Sequence, residues 1–357
     1  MINPNDSYTS PDDELDETSE EQSELYEHFH FDVDPGQAML RIDKYLSTKI
    51  HQVSRNRIQC AADANTILVN GKAVKSSYKV KPLDSISIVM ADPPRDTDIK
   101  PENIPLNIMY EDNDLIVVDK APGMVVHPAH GNFTGTLINA LMYHLKDVPL
   151  FSSGEVRPGL VHRIDKNTSG ILVIAKSEIA MNRLAKQFFD RTSTRKYIAL
   201  VWGNMDAEEG TITGNIGRSI RDRKKMQVFP NEDQGKHAVT HWKVIERMGY
   251  VNMVECKLET GRTHQIRAHF EYIKHPIFND DRYGGNIIVK GTVFTKYRQF
   301  VDNCFQLCPR HALHAKSLGF KHPTTGKDMH FESELPNDMI RVIDKWRNYV
   351  AGREVED

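Results

Sequence analysis

The sequence is poor in cysteine. Among 357 residues there are four, and the two closest, Cys304 and Cys308, lack the C-x-x-C spacing of redox and zinc motifs. We therefore expect reduced thiols in a cytoplasmic protein rather than a disulfide framework. A zinc site formed by these two cysteines with His311 and His314 is a weaker alternative.

Long apolar runs and nucleotide-binding motifs are also missing. No run reaches the roughly 18 residues that a membrane helix needs, and the acidic N-terminus lacks the apolar core of a secretory signal. Neither a Walker A loop nor a G-x-G-x-x-G motif is present. We therefore expect no membrane partner and no nucleotide cofactor.

Lysine and arginine are absent from residues 1–37, which hold 12 of the 49 acidic residues. The net charge of −3 is thus segregated, because the rest of the chain carries +9 from 46 basic and 37 acidic side chains. The low apolar content predicts a disordered acidic tail over 1–37. This tail serves either to keep the chain soluble or to mimic RNA charge and shield the basic body.

Composition divides the remaining chain into a small domain at 38–90, a Pro- and Asp-rich linker at 91–105, and a large domain at 106–357. In the small domain, Leu40, Ile42 and Leu46 predict one side of a first helix. Ser54 is the expected N-cap of a second helix, and Asn70-Gly71 predicts a hairpin.

Strand-like runs recur irregularly in the large domain, at 115–118, 171–175, 197–201 and 253–258. Ser177 is the expected cap of a helix with Met181, Leu184, Ala185 and Phe188 on one face. Because the elements do not follow a βαβ repeat, we predict an α+β fold with a mixed, mostly antiparallel sheet.

Three polar stretches could carry chemistry. The segment before the 171–175 strand holds His162, Arg163 and Asp165, which fits either a poised carboxylate or a salt-bridged turn. Residues 262–269 hold two arginines, two histidines and a glutamine, which are costly to bury without an anion such as Asp165 or a phosphate. The cationic stretch 310–322 is interpreted either as part of this site or as a helix with a solvated face.

The small domain resembles the alpha-L RNA-binding domain of a small-subunit ribosomal protein and several RNA-modifying enzymes. The resemblance rests on residues 41–46 (RIDKYL), Ser54-Arg55, Val69-Asn70-Gly71, Val74, Val80, Leu83 and Asp84. It implies that six cations face RNA phosphates: Arg41, Lys44, Arg55, Arg57, Lys72 and Lys75. The alternative is that they form a solvated face.

The large domain resembles the RluA/RluD-type pseudouridine synthases, which isomerise uridines in structured RNA, chiefly large-subunit ribosomal RNA. The central match is His162-Arg163-Ile164-Asp165 with Thr168-Ser169-Gly170. Further matches occur in family order at Lys120, Pro122-Gly123, Lys196-Tyr197, residues 261–267 (GRTHQIR), His269, Pro276, Asp280, Tyr283-Gly284, His314-Ala315 and His322-Pro323. An alpha-L domain in front is typical of the RluD-like branch.

The resemblance assigns roles within these motifs. Asp165 is the expected catalytic carboxylate, Arg267 its partner, Tyr197 the contact to the target uracil, and Arg163 the side chain that replaces the flipped base. Four further residues are expected to bind substrate: His162, Arg262, His264 and Gln265. Arg262 competes with Arg267 for the place beside Asp165.

Isomerisation of uridine requires no redox change, phosphate energy or metal, so no cofactor or metal is expected. The implied partner is structured RNA, large-subunit ribosomal RNA or its precursor particle, and no obligate protein partner is implied. Three alternatives are an RNA glycosidic hydrolase, which needs a second carboxylate, a ribosome-assembly factor without catalysis, and a metal hydrolase. Both Asp165 and Tyr197 are present, which disfavours the assembly factor.

Overall fold

A computed structural model describes residues 26–50, 55–90, 99–129, 131–152, 157–231 and 234–354. The chain separates into two compact units, residues 1–97 and 98–357. Within the described ranges, no helix combines the length and the apolar character needed to cross a membrane.

The first unit is a small α+β domain around one apolar core. Ile42 and Leu46 of its first helix pack with Ile58, Ile67 and Ile86. Its elements are β1 (Tyr26–Asp32), β2 (Leu40–Arg41), α1 (Ile42–Lys49), α2 (Arg55–Asp63), β3 (Ile67–Val69), β4 (Lys72–Ala73), β5 (Lys79–Val80) and β6 (Ser85–Met90). The sheet has the order β1-β6-β3-β4, with β2 and β5 paired separately.

The predicted hairpin at Asn70-Gly71 is confirmed, since β3 and β4 pair antiparallel and both turn residues have positive φ. Ile42 and Leu46 lie on the first helix as predicted, whereas Leu40 belongs to β2. The expected cap Ser54 lies outside the described residues.

The structure corrects the predicted extent of the acidic tail. Strand β1 pairs antiparallel with β6 from Tyr26 to Asp32, and Val33 is buried in the small core. The alternation of Phe29, Phe31 and Val33 was the available strand signal. Residues 26–37 are therefore part of the first unit, and 1–25 lie outside the described residues.

The second unit is built on one large sheet. Its strands are β7 (Ile108–Glu111), β8 (Leu115–Lys120), β9 (Ser169–Ala175), β10 (Thr194–Trp202), β11 (Glu209–Arg218), β12 (Met226–Phe229), β13 (Lys236–Met248), β14 (Val251–Leu258), β15 (Leu313–Lys321) and β16 (Asp328–Glu332). Its helices are α3 (Leu137–His144), α4 (Pro149–Ser152), α5 (Glu178–Phe189), α6 (Gln265–Tyr272), α7 (Thr295–Leu307) and α8 (Asn337–Glu354).

The strand order is β12-β11-β13-β14-β10-β15-β9-β8-β7, with β16 beside β15. Of the strand pairs in the described part, β9 with β15 is parallel and the others are antiparallel. The α+β prediction with a mixed, mostly antiparallel sheet is confirmed. The parallel pair brings the start of β9 beside the start of β15, which matters for the site.

Alternation along the strands buries both faces of this sheet. On β10, Ala199 and Val201 face the core that contains α3 and α6, whereas Leu200 and Trp202 face the core of α7 and α8. Helix α5 covers the same second face at β8 and β9 through Leu184. The predicted catalytic residues Tyr197 and Arg267 lie on the α6 side.

The four predicted strands of the large domain and the helix capped by Ser177 are all present. Ala185 is exposed, so the buried face of α5 is centred on Ala180 and Leu184 instead. The helical interpretation of 310–322 is wrong, because 313–321 forms a buried strand.

Part of the segment assigned to the linker belongs to the second unit. Asn139 Nδ2 of α3 donates to the Lys100 carbonyl, and the Glu102 amide donates to the Asn139 carbonyl. Ile99 packs against the same core.

Candidate active site

Asp165 lies in a loop that is fastened at several backbone points just before β9. Lys120, which is 2% exposed, donates from Nζ to the carbonyls of Ala121, Met124 and Lys166 at 2.7, 2.8 and 3.0 Å. The Gly123 amide also donates to the Lys166 carbonyl. These bonds fix the residue that follows Asp165.

A second set of contacts fastens the loop to the start of β15. Arg310 Nη1 donates to the Asn167 carbonyl at 2.8 Å, and the Thr168 hydroxyl lies 2.9 Å from His311 Nε2. Ser169 Oγ lies 3.0 Å from His314 Nδ1. The cationic stretch from residue 310 therefore supports the Asp165 loop from inside the protein.

Arg267 of α6 joins Asp165 to a second, fully buried carboxylate. Its Nη1 donates to Asp165 Oδ2 at 3.1 Å, while Nε and Nη2 donate to the two oxygens of Asp280 at 2.7 and 2.8 Å. The bidentate pair with Asp280 sets the plane of the guanidinium. Nη1 is thereby directed toward Asp165, so Arg267 contacts Asp165 as the family resemblance predicted.

These contacts keep Asp165 ionised. Burial raises the pKa of its carboxyl, but Arg267 and, at acidic pH, the protonated ring of His264 outweigh this effect, and the net pKa is lower than usual. Burial lowers the pKa of His264, so its ring is neutral at neutral pH and Arg267 supplies the persistent charge. Burial likewise lowers the pKa of His311 to about 3.

His264 sits at the start of α6 in the left-handed region, with φ of 54°. Its Nδ1 lies 2.9 Å from the Tyr283 hydroxyl, and its Nε2 lies 3.9 Å from Asp165 Oδ1. The Met226 amide donates to the same hydroxyl, which favours a Tyr283 proton directed to Nδ1 and a ring proton on Nε2. His264 thus directs an N–H toward Asp165 at a distance too long for a hydrogen bond.

Two open cavities meet at Asp165. The smaller, of about 50 Å³, is lined by Asp165, Tyr197, Arg267 and their neighbours, and the larger, of about 320 Å³, continues past Arg163. Tyr197 is 7% exposed and its hydroxyl bonds no residue of the described chain. Burial raises the pKa of this phenol, so it keeps its proton. Exposed Arg163 lines both cavities.

The remaining predicted substrate contacts are bonded mainly within the protein. Gln265 accepts from the Thr260 hydroxyl and the Arg262 amide and donates to Val239 and Thr240. Arg262 Nε donates to the His237 carbonyl, so Arg267 and not Arg262 pairs with Asp165.

His162 lines the larger cavity but is also held inside the protein. Its Nε2 accepts from the Val173 amide at 3.0 Å, and its ring stacks on Phe188. Burial lowers its pKa to about 3, so it stays neutral.

Sequence reasoning missed the roles of Asp280 and Arg310. Asp280 is fully buried and orients Arg267, and Arg310 pairs with Asp338 while donating to the loop carbonyl of Asn167. Both residues are more than 100 positions from Asp165 in the chain, so no local pattern reveals the contact.

The zinc alternative is wrong for the described chain. His314 is hydrogen-bonded on both ring nitrogens, to Ser169 and Ser333, and His311 bonds Thr168. Elsewhere in these ranges, Asp112, Asp114 and His322 form one cluster of metal-ligand types. There, His322 Nδ1 accepts two backbone amides, so Nε2 carries the proton that it donates to Asp112.

In the first unit, the predicted RNA-binding cations fall into two groups. Arg41 and Arg55 both donate to the fully buried Asp43, at 3.0 and 2.9 Å, and remain about half exposed. The exposed group with no such carboxylate contact consists of Lys44, Lys72 and Lys75. The Arg57 side chain lies outside what the structure describes.

Sequence comparison identifies the class of protein. Residues 114–272, which contain Asp165, Tyr197 and Arg267, match the RNA pseudouridylate synthase family. An RNA pseudouridine synthase of Chlorobaculum parvum is 46% identical over 90% of this chain and 99% of its own length. The chain belongs to this family and is an RNA pseudouridine synthase, an isomerase.

The relatives place it within the RluA/RluD-type branch. The ribosomal large subunit pseudouridine synthase D of Zymomonas mobilis is 40% identical, over 84% of this chain and 91% of that protein. That of Nitrosomonas europaea is 39% identical over 87% and 86%. The human RNA pseudouridylate synthase domain containing 4 shares the fold, with TM-score 0.50 and 21% identity over 68% of this chain and 93% of that chain.

Proposed function

We propose that this enzyme converts specific uridines of structured RNA to pseudouridine, with large-subunit ribosomal RNA as substrate and Asp165 as the catalytic carboxylate. The observation that carries the proposal is the ionised Asp165 at the meeting point of two cavities, held by Arg267 at 3.1 Å. The substrate class is supported by the two relatives named ribosomal large subunit pseudouridine synthase D.

The reaction balances without an added reagent. The bond between uracil N1 and ribose C1′ breaks, the base turns, C5 bonds to C1′, and a proton leaves C5 while N1 gains one. Asp165 acts at the sugar carbon, where an ionised carboxylate stabilises or attacks positive charge, as carboxylates do in glycosidases. The low pKa of Asp165 supports this role, because a protonated acid could do neither.

The target uridine must leave its stack, at a cost of a few kcal/mol. Tyr197 presents an aromatic ring and a free hydroxyl to the cavity, which suits it to contact the flipped uracil. Its raised pKa favours a role as a donor rather than as a phenolate base. Exposed Arg163 has the length and the planar head to occupy the vacancy in the RNA.

The first unit is proposed to hold the RNA by its phosphates. Lys44, Lys72 and Lys75 are exposed, and Arg41 and Arg55 keep exposed surface while they bond Asp43. Because phosphate contacts carry little sequence information, this unit would supply affinity, and the uridine choice would depend on RNA shape.

The hydrolase alternative requires a second carboxylate to activate water. Of the described residues that line the cavities around Asp165, none other is acidic. Asp280, the nearest candidate by contact, has both oxygens bonded to Arg267. The geometry therefore favours isomerisation over hydrolysis.

The deciding experiment removes the negative charge of Asp165 while keeping the shape of its side chain. Asp165→Asn should lower the single-turnover rate on an unmodified large-subunit ribosomal RNA transcript by about 10⁴-fold or more, with an unchanged dissociation constant for RNA. Exposed Asp206→Asn is the matched control and should retain the wild-type rate. Pseudouridine mapping measures the product, and substantial turnover by the Asp165 variant would refute the assignment.

A further inference from the structure

Arg195 of β10 is a buried cation that pairs with no carboxylate of the described residues. The residue is 7% exposed, and its buried Nε makes no hydrogen bond to the described chain. Its guanidinium carbon lies 5.4 Å from the centroid of the Phe188 ring. The acid in the same cavity, Asp165, is bonded to Arg267 instead. Burying an unpaired charge is costly, so this arrangement calls for an anion from outside.

The position of Arg195 directs it to the substrate cavity. Arg195 precedes Tyr197 by two residues on β10, so the two side chains leave the same face of the sheet. Both line the cavity of about 320 Å³ that also contains Asp165. The cation is therefore placed beside the proposed uracil and carboxylate positions.

Gly261 keeps the room that this guanidinium occupies. A Cβ at position 261 would lie 2.7 Å from Arg195 Nη1, so a side chain there would require the guanidinium to shift. Gly261 does not have a left-handed φ, so its backbone does not require glycine. The absence of a side chain at position 261 thus leaves space for the Arg195 guanidinium. Gly261 lies in the loop that leads to His264 and α6.

We propose that Arg195 binds a backbone phosphate of the RNA next to the flipped uridine. This inference rests on the proposed function, because it takes RNA as the substrate. The phosphodiester is the anionic group of RNA, whereas uracil and ribose are neutral. A guanidinium binds two phosphate oxygens at once, and a partly enclosed site strengthens that contact. Arg195 is thereby a substrate-binding residue that positions the nucleotide against Asp165.

The test is the salt dependence of RNA binding by the full chain. The probe is an unmodified large-subunit ribosomal RNA transcript, titrated at several salt concentrations. Arg195→Met should weaken binding about tenfold and lower the slope of log affinity against log salt by about 0.7 to 0.9, the value for one phosphate contact. Arg195→Lys should keep the slope, since the charge remains.

Two further variants separate this role from charge and packing. Arg341→Met removes an exposed cation of α8 and should leave the slope unchanged. Gly261→Ala should lower the slope less than Arg195→Met does, because the flexible guanidinium can shift and every charge is retained. Thermal unfolding of each variant confirms that it is folded.

The proposal is overturned if Arg195→Met keeps the wild-type slope, whether or not its melting temperature falls, since that result makes Arg195 a packing residue. It is also overturned if Arg341→Met lowers the slope equally. The binding slopes do not depend on turnover. A wild-type enzyme that makes no pseudouridine in this transcript would therefore contradict the proposed function. The salt dependence of binding would still test whether Arg195 contacts a phosphate.

Discussion

At the scale of single residues, Arg267 divides its nitrogens between two carboxylates with different tasks. Two nitrogens bind the fully buried Asp280, and one reaches Asp165, whose side chain is 19% exposed. Because Asp280 is fully buried, its pair with Arg267 cannot contact substrate and instead holds the guanidinium in position. Asp165 accepts from only one of these nitrogens, which leaves its second oxygen available for the proposed contact to the sugar.

The positioning role of Asp280 can be tested by removing its charge. Asp280→Asn keeps the volume but leaves the buried Arg267 without its full counter-charge, and breaking such a pair costs about 3–5 kcal/mol. We expect a lower free energy of unfolding and a lower turnover rate, with little change in the RNA dissociation constant. Asp281→Asn, at the exposed neighbouring position, should behave as wild type. Equal turnover by both variants would contradict the positioning role.

The pH profile tests the electrostatics of Asp165. Because its folded-state pKa lies below the usual 3.8, the carboxylate is ionised throughout the neutral range. Its contribution to stability is present above about 3.8 and is lost as the pH falls through the lower folded value. We expect turnover to show no acid limb from this group between about pH 5 and 8.

The same profile should change when the persistent cation is removed. In Arg267→Met, burial acts on the Asp165 carboxyl with less opposition, so its pKa rises and an acid limb enters the measurable range. Single-turnover rates across pH give the comparison. A variant that is slower by the same factor at every pH would show that Arg267 does not control the ionisation of Asp165.

At the scale of elements, the parallel pairing of β9 with β15 brings the Asp165 loop next to the residues that hydrogen-bond to it. Ser169 pairs with His314 and Gly170 with Ala315. Gly170 has φ of 114°, and a Cβ there would lie 2.2 Å from the Ala315 carbonyl oxygen. The two backbones can approach this closely only because position 170 has no side chain.

Gly170→Ala should therefore separate the strands at this point. The strained φ and the backbone clash act together, so we expect a loss of more than about 1 kcal/mol in unfolding free energy. Turnover should fall as well, because Asp165 precedes the displaced residue by five positions. Gly352→Ala, where a Cβ meets no atom within 4 Å, is the control. Urea titration and single-turnover rates provide the two measurements.

Local signals explain which elements the sequence could predict. Continuous apolar runs gave β8, β9, β10 and β14, and Ser177 gave the start of α5. The pattern of 313–321 was ambiguous because its buried polar residues, His314 among them, are bonded to distant partners such as Ser169 and Ser333. Such a strand looks solvated until its tertiary contacts are known.

At the scale of the whole molecule, the site combines segments that are far apart in sequence. The family motifs supplied Asp165, Tyr197 and Arg267, and the structure brings the three to one cavity. The hydrogen bonds of Gln265 and the unpaired Arg195 follow from the packing of β10, β13 and α6. No periodicity or spacing in the sequence encodes these contacts.

Charge is segregated over the whole chain, and the structure sharpens where the boundary lies. Nine of the 12 acidic residues of 1–37 precede Tyr26, and the other three, Glu27, Asp32 and Asp34, lie in β1 or just after it. Glu27 bonds Ser87 of β6, so its charge is part of the first unit's surface. Residues 1–25 can therefore be removed without shortening β1.

Removing residues 1–25 should increase the affinity for RNA. The shortened chain loses nine negative charges and no lysine or arginine, so its net charge changes from −3 to +6. Electrostatic attraction to phosphates then grows, most strongly at low salt where screening is weak. A full-length variant with the nine acids changed to Asn and Gln is the matched control, and it should bind as tightly as the shortened chain. Affinities of both that equal the wild type at every salt concentration would contradict the screening hypothesis and leave the segment a solubility tail.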